Sequence, residues 1–180
     1  MNYPLCKIFD LRTEIVKEFV NDDTEKWLWI DILPLDGLPD DDYIIEKMFR
    51  KSLIARKILR IKKSKKTKGN NILKIIFKPI LKLILTPIPL VNVVSYIDDV
   101  SRTYSIEECN FIGGVAMGYG PNEKMPKEEY LKSVKVKFEG IEINAPSCWD
   151  YYLKSLYGDY MVLPPKNKQV AHPMSIWINE

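Results

Sequence analysis

The sequence predicts an α+β chain, and three observations predict it. Trp27 to Leu33 (W-L-W-I-D-I-L) is a nearly continuous apolar run, the composition of a strand buried on both faces. Tyr43 to Ile61 reads as a helical stretch set behind three aspartates. Farther on, Val134, Val136 and Phe138 alternate with lysines, and Ile141, Ile143 and Ala145 alternate with polar residues across Glu139-Gly140. That is a hairpin with one buried face.

Composition narrows the class. The chain has 180 residues, of which 46% are hydrophobic and 28% charged, so wholesale disorder and fibrous repeats are excluded. A chain of this length can bury a core without disulfides. Cys6, Cys109 and Cys148 are far apart and odd in number, which fits a reducing compartment and no structural zinc site. Met1-Asn2-Tyr3-Pro4 opens no basic, then apolar, signal pattern, so a cytoplasmic chain is expected.

The net charge of +3 conceals a strong asymmetry. Residues 1–49 hold 12 acids and 5 bases, residues 50–82 hold 13 bases and no acid, and residues 83–180 hold 12 acids and 9 bases. So concentrated a basic block usually meets a polyanion or an acidic membrane face.

The elements follow in order. Leu5 to Phe9 and Thr13 to Val16 are short strands, then comes the run from Trp27, ended by Pro34 and a Gly-Pro loop to Pro39. Asp40, Asp41 and Asp42 can cap the helix from Tyr43, whose bases fall towards its other end, as the helix dipole favours. A metal reading of this triplet is the weaker alternative. Lys62 to Asn71 is a solvated linker. Ile72 to Val94 is apolar but interrupted by Lys74, Lys78, Lys82 and by Pro79, Pro87 and Pro89. A spanning helix wants roughly 20 apolar residues, so an interfacial or partner-packing helix is expected instead. Leu90 to Tyr104 is a further short helix. Ser147 and Asp150 form a capping-box-like start to the last helix, with Gly158 as its stop, and Leu163 to Glu180 is an extended tail.

Several residues invite chemistry. Asp31 inside its apolar strand must be paired or metal-bound if buried; it is either one arm of a divalent-cation site or a strand-end cap, and Asp36 shares that choice. His172 is the only histidine, so a histidine-dependent catalytic pair would need it; a surface role is the simpler reading. Cys148 at a helix start is a packed small residue before it is a thiolate. Gly113-Gly114 lacks the context of a phosphate loop. For the basic block, anionic lipid and simple solvation rank ahead of nucleic acid, because stacking aromatics are not interleaved with the charges.

Two stretches carry a resemblance. Trp29-Ile30-Asp31-Ile32-Leu33-Pro34-Leu35-Asp36-Gly37-Leu38-Pro39 resembles the W-I-D-I-F-P-L-D-G-L-P segment of LicD-family phosphocholine transferases, and Tyr157-Gly158-Asp159-Tyr160-Met161 to Leu163-Pro164-Pro165 resembles their Y-G-D-Y-M-x-L-P-P. Phe138-Glu139-Gly140 and the Pro146-to-Leu153 helix resemble the family in the same order. The resemblance implies a nucleotidyltransferase-like fold. It would have a partial sheet in 1–39, a basic helical insertion in 40–104, and a hairpin, capped helix and tail in 105–180. It implies transfer of phosphocholine, or a related phospho-alcohol, from CDP-choline or another CDP-alcohol onto a glycan precursor, with Mg²⁺ or Mn²⁺. Asp31 is implied as catalytic residue and metal ligand, Asp36 as a second metal candidate, and Asp159, Tyr160 and His172 as substrate-binding. Lys74, Lys78 and Lys82 would hold the chain peripherally on an inner membrane face. The family's G-G-T-L-L-G and D-D-D-I-D motifs are absent from the sequence. The chain thus resembles the carboxyl-terminal two-thirds of such an enzyme, and a non-catalytic remnant or partner-dependent subunit is the alternative.

Overall fold

The structure, a computed structural model, describes residues 5–17, 26–63, 72–169 and 174–178, with backbone alone at 16–17 and 72–78. The described residues mix helices with small antiparallel sheets, so the α+β class holds. They form two compact units: residues 34–160 make one, and the residues within 5–33 and 161–178 make the other.

The larger unit is organised by a long helix. Asp41 starts it as expected, its Oδ1 accepting the N–H groups of Tyr43 at 2.8 Å and Ile44 at 3.3 Å. This is α1 (Asp42–Lys63), with Arg60, Lys62 and Lys63 in its last turn. Ile45, Met48, Phe49, Ser52, Ala55 and Leu59 are buried along one stripe, the spacing that faces a single partner. That partner is mainly α3 (Leu90–Ser101), through Val93, Ile97 and Val100, while α2 (Ile72–Leu85) packs beside α1. Two clusters result. Leu38, Ile45, Met48, Phe49, Val100 and Val115 form one, and Ala55, Leu59, Val93, Ile97 and Ala116 the other. Phe49, Leu59 and Ile97 are wholly buried, each contributing about 1.5–3 kcal/mol by burial. The linker reading of 62–71 is corrected at its start, where Lys62 and Lys63 are helical; 64–71 lie outside the described residues.

A small antiparallel sheet completes this core. Asp36–Leu38 (β4) pairs with Phe111–Gly113 (β5), which pairs with Met125–Pro126 (β6). A Cβ on Gly37 would sit 2.8 Å from the carbonyl oxygens of Tyr104 and Ser105. The glycine of L-D-G-L-P is therefore set by close backbone approach.

After a short helix, α4 (Lys127–Leu131), the expected hairpin forms as β7 (Ser133–Phe138) and β8 (Ile141–Pro146), turning at Glu139 (φ 49°) and Gly140 (φ 83°). Its apolar face is half-buried at Val134, Val136 and Ile143 and open at Phe138 and Ile141. The last helix, α5 (Trp149–Tyr157), stops at Gly158 (φ 68°) as expected. Its start differs. Ser147 donates its hydroxyl to Glu129 O at 2.7 Å, which tethers α5 to α4, and Cys148 occupies the cap position without a side-chain cap bond.

The smaller unit corrects one expectation. Leu28–Ile32 (β3) pairs only with Cys6–Asp10 (β1) among the described residues, and Ile30 is 69% exposed. A strand buried on both faces needs covering layers, and here Ile8, Ile30 and Ile32 line an uncovered face. Thr13–Lys17 (β2) pairs with Met174–Ile178 (β9), so part of the extended tail is a strand. Thr13 ties the corner: its hydroxyl donates to Asp10 O and accepts the Leu28 N–H.

Candidate functional site

The acids expected to carry chemistry occupy different surroundings. Asp31 stands on β3 opposite Lys7 of β1, and their side chains form an ion pair of 3.2 Å. Trp29, two residues earlier on the same strand face, lies beneath the Lys7 ammonium at 4.5 Å from its ring centroid. Trp27 continues that face and meets Phe9 edge-on at 6.1 Å. Asp31 is thus a solvent-reached carboxylate, with 44% of its side chain exposed, on an aromatic ledge beside a cation. Of the states expected for it, Asp31 is paired, and it stays open to solvent because no layer covers β3 among the described residues of this unit.

Asp36 is the buried acid, 6% exposed on β4. Its Oδ2 accepts the Ala116 N–H at 3.0 Å. Burial pushes its pKa up, while the N–H groups of Ala116 and Val115 and the Ser101 hydroxyl pull the other way. The side chain is inward and pins the turn after β5 to the helical core.

That turn holds a second buried acid which sequence reasoning passed over. Gly118 N–H bonds back to Gly114 O, and the following Pro121–Glu123 turn brings the Glu123 carboxylate underneath. Glu123 is 6% exposed, and burial pushes its pKa up. The Tyr119 and Gly114 N–H groups and the Arg56 charge partly offset that push. Arg56 reaches from α1 and donates Nη2–H to Gly118 O at 2.6 Å, leaving Nε–H buried without a hydrogen-bond partner. Burial lowers the pKa of this guanidinium. A Cβ on Gly118 would fall 1.8 Å from Glu123 Oε2. The glycines of G-G-V-A-M-G-Y-G thus admit a carboxylate, not a phosphate. Glycine density beside a lone Glu was the signal that could have identified it.

Tyrosines surround the same acid. Tyr130 and Tyr152 meet edge-on at 5.8 Å. Tyr152 is pushed up to about 12, chiefly by burial and then by the charge of Glu123.

The Y-G-D-Y segment closes on α5. Tyr160 donates its hydroxyl to Asp150 Oδ1 at 2.8 Å and stacks edge-on against Trp149 at 6.5 Å. Lys154, the larger influence, and Tyr160 together hold the Asp150 carboxyl below its ordinary range. Asp159 is exposed. Tyr160 and Asp159 are neighbours of α5, and His172 lies outside the described residues. Lys82 is half-buried, and the side chains of Lys74 and Lys78 lie outside the described set.

A divalent cation finds no ready cradle here. Among the described residues no group of three or more His, Cys, Asp or Glu is placed to hold a metal ion. One oxygen of Asp31 already faces an ammonium, and one oxygen of Asp36 accepts the Ala116 N–H. The described residues do not by themselves fit Mg²⁺ or Mn²⁺.

Comparison with known proteins gives one clear relative. The chain is 30% identical to the lipopolysaccharide cholinephosphotransferase LicD of Haemophilus influenzae over 174 aligned residues, taking in 93% of this chain and 62% of the relative. The chain therefore spans less than two-thirds of that relative's length. No family model matches, and no solved structure matches.

Proposed function

Proceeding from the LicD-family relationship of this chain, we propose that it forms part of a transferase moving phosphocholine, or a related phospho-alcohol, from a CDP-alcohol to a hydroxyl of a cell-surface glycan precursor. The collinear match to a lipopolysaccharide cholinephosphotransferase over 93% of the chain carries this reading. In the reaction, the acceptor oxygen attacks the phosphorus bearing choline and a new P–O bond forms. The bond to the cytidylate breaks, CMP leaves, and the hydroxyl proton passes to a base.

Asp31 is the proposed base. It is open to solvent beside Lys7, whose ammonium can offset phosphate charge, and Trp29 and Trp27 offer apolar walls on the same strand face. Aromatic faces also attract a trimethylammonium group. Asp36 and Glu123 are proposed to shape the fold and to stay out of the chemistry, because both are buried against backbone N–H groups. The acids that hold the divalent metal, and the groups that hold the nucleotide phosphates, are proposed to come from the part of the relative outside the match.

A second reading has one observation in its favour. No cluster of three metal-ligating side chains exists among the described residues, so the chain can also be a non-catalytic subunit that completes its site with another polypeptide.

The experiment uses CDP-choline labelled in the choline, a lipopolysaccharide acceptor and Mn²⁺ or Mg²⁺. The chain is assayed alone and fused to the unmatched part of the Haemophilus relative. The proposal expects label on the glycan from the fusion and its loss in the Asp31→Asn fusion. A folded fusion that binds CDP-choline and transfers nothing refutes the catalytic reading and favours the subunit.

A further inference from the structure

The second helix carries its apolar residues on the outside. Ile80, Leu83 and Ile84, at i, i+3 and i+4, share one face of α2 and are 50%, 74% and 65% exposed. Leu85, farther round the helix, is buried, and Lys82 beside that inner face is half-buried. A helix packed against a water-soluble core presents the opposite arrangement. The open face continues through Ile88 in the Thr86–Pro89 turn to Val91 of α3. Ile88 also lines, with Ile54, Tyr96 and Lys51, an apolar cleft of about 260 Å³ between α1 and α3.

Charge says what covers this face. Residues 50–82 contain 13 bases and no acid, and Arg50, Lys51, Lys57 and Arg60 are exposed on α1, the helix against which α2 packs. Aliphatic side chains next to concentrated positive charge suit an anionic bilayer, where the former enter acyl chains and the latter meet headgroups. A nucleic-acid surface would present stacking rings among its cations.

Spanning is a poor fit. Among the described residues no single helix is long and apolar enough to cross a membrane. The pair Pro79–Leu85 and Leu90–Ser101 is bent by 79°, and Val93, Ile97 and Val100 of α3 are already buried in the core.

We propose that α2 and the turn after it lie in the interface of an anionic lipid bilayer. Ile80, Leu83, Ile84 and Val91 enter its acyl region, and the exposed bases Arg50, Lys51, Lys57 and Arg60 meet its headgroups. The inference does not depend on the phosphocholine reaction.

The test is co-sedimentation of the full chain with phosphatidylcholine vesicles and with phosphatidylcholine–phosphatidylglycerol vesicles, at low and high salt. Circular dichroism and thermal melting of each variant check the fold. Binding to the anionic vesicles that weakens with salt is expected, and Leu83→Glu and Ile84→Glu should each weaken it about tenfold or more. Replacing the exposed Arg50, Lys57 and Arg60 by Gln should cost roughly fivefold per charge. Failure to sediment with anionic vesicles overturns the proposal, as does equal binding by a folded Leu83→Glu variant. A dimer dissolved by Leu83→Glu with no vesicle binding overturns it in favour of self-association. Duplex DNA binding unaffected by Leu83→Glu, again without vesicle binding, overturns it in favour of a nucleic-acid surface.

Discussion

Gly118→Ala should be among the most damaging single-methyl additions to the larger unit. The added carbon would lie 1.8 Å from Glu123 Oε2 and 2.3 Å from Gly114 O. Neither can simply yield. Glu123 is 6% exposed beneath the turn, and Gly114 O is the acceptor that closes the turn with Gly118 N–H. Relieving the overlap means overpacking a buried site, at about 1–3 kcal/mol, and loosening the Gly118–Gly114 turn bond, at about 0.5–1.5 kcal/mol. The expected loss is therefore about 2–4 kcal/mol. At about 2–4 °C per kcal/mol for a chain of this size, the melting temperature should fall by roughly 4–16 °C. Gly140→Ala is the control. Gly140 has a φ of 83°, and an added methyl would meet nothing within 4 Å, so only backbone strain of about 1–2 kcal/mol is incurred. Urea and thermal denaturation followed by circular dichroism measure both. If Gly118→Ala melts with the parent chain, or Gly140→Ala costs more, Glu123 does not occupy the turn as described.

Other outcomes follow from the same contacts. Glu123 has its folded pKa raised above the ordinary 4.5, so its contribution to stability is present below 4.5 and is lost as pH rises through the folded value. Glu123→Gln should flatten the slope of stability against pH between 4.5 and neutrality, read from urea midpoints at each pH. Tyr160→Phe should raise the Asp150 pKa towards its ordinary value without reaching it, since Lys154 remains the larger influence; a carboxyl-carbon NMR titration reads this directly. Phe49→Ala, at 0% exposure in the α1–α3 core, should cost about 3–5 kcal/mol by urea denaturation.

Local chemistry was legible wherever one short-range contact decides it. Asp41 caps α1, Gly158 ends α5, and the Glu139-Gly140 turn joins β7 to β8, all from residues within a few positions. Long-range decisions were not legible. The apolar run at 27–33 reads as a covered strand, but whether a layer covers it depends on other elements, and Ile30 stays open. Ser147 has the right spacing for a cap, and a distant acceptor, Glu129 O, takes its hydroxyl instead. The four-residue lysine spacing on α2 is legible, whereas how far each ammonium reaches solvent depends on packing, and Lys82 is half-buried. Glu123 was missed because its signal lies outside Pro121-Asn122-Glu123, in the glycines of 113–120 that close over it. The resemblance to LicD-family enzymes rested on two linear motifs, and the match over 93% of the chain agrees with it. The expected nucleotidyltransferase-like fold has no solved neighbour to compare with.

The transfer of labelled phosphocholine by the fusion of this chain to the unmatched part of its Haemophilus relative tests the central claim most directly. The account predicts label on the glycan, released CMP in equal amount, and no transfer when Asp31 becomes Asn. A folded fusion that binds CDP-choline yet releases no CMP in the presence of acceptor would contradict it.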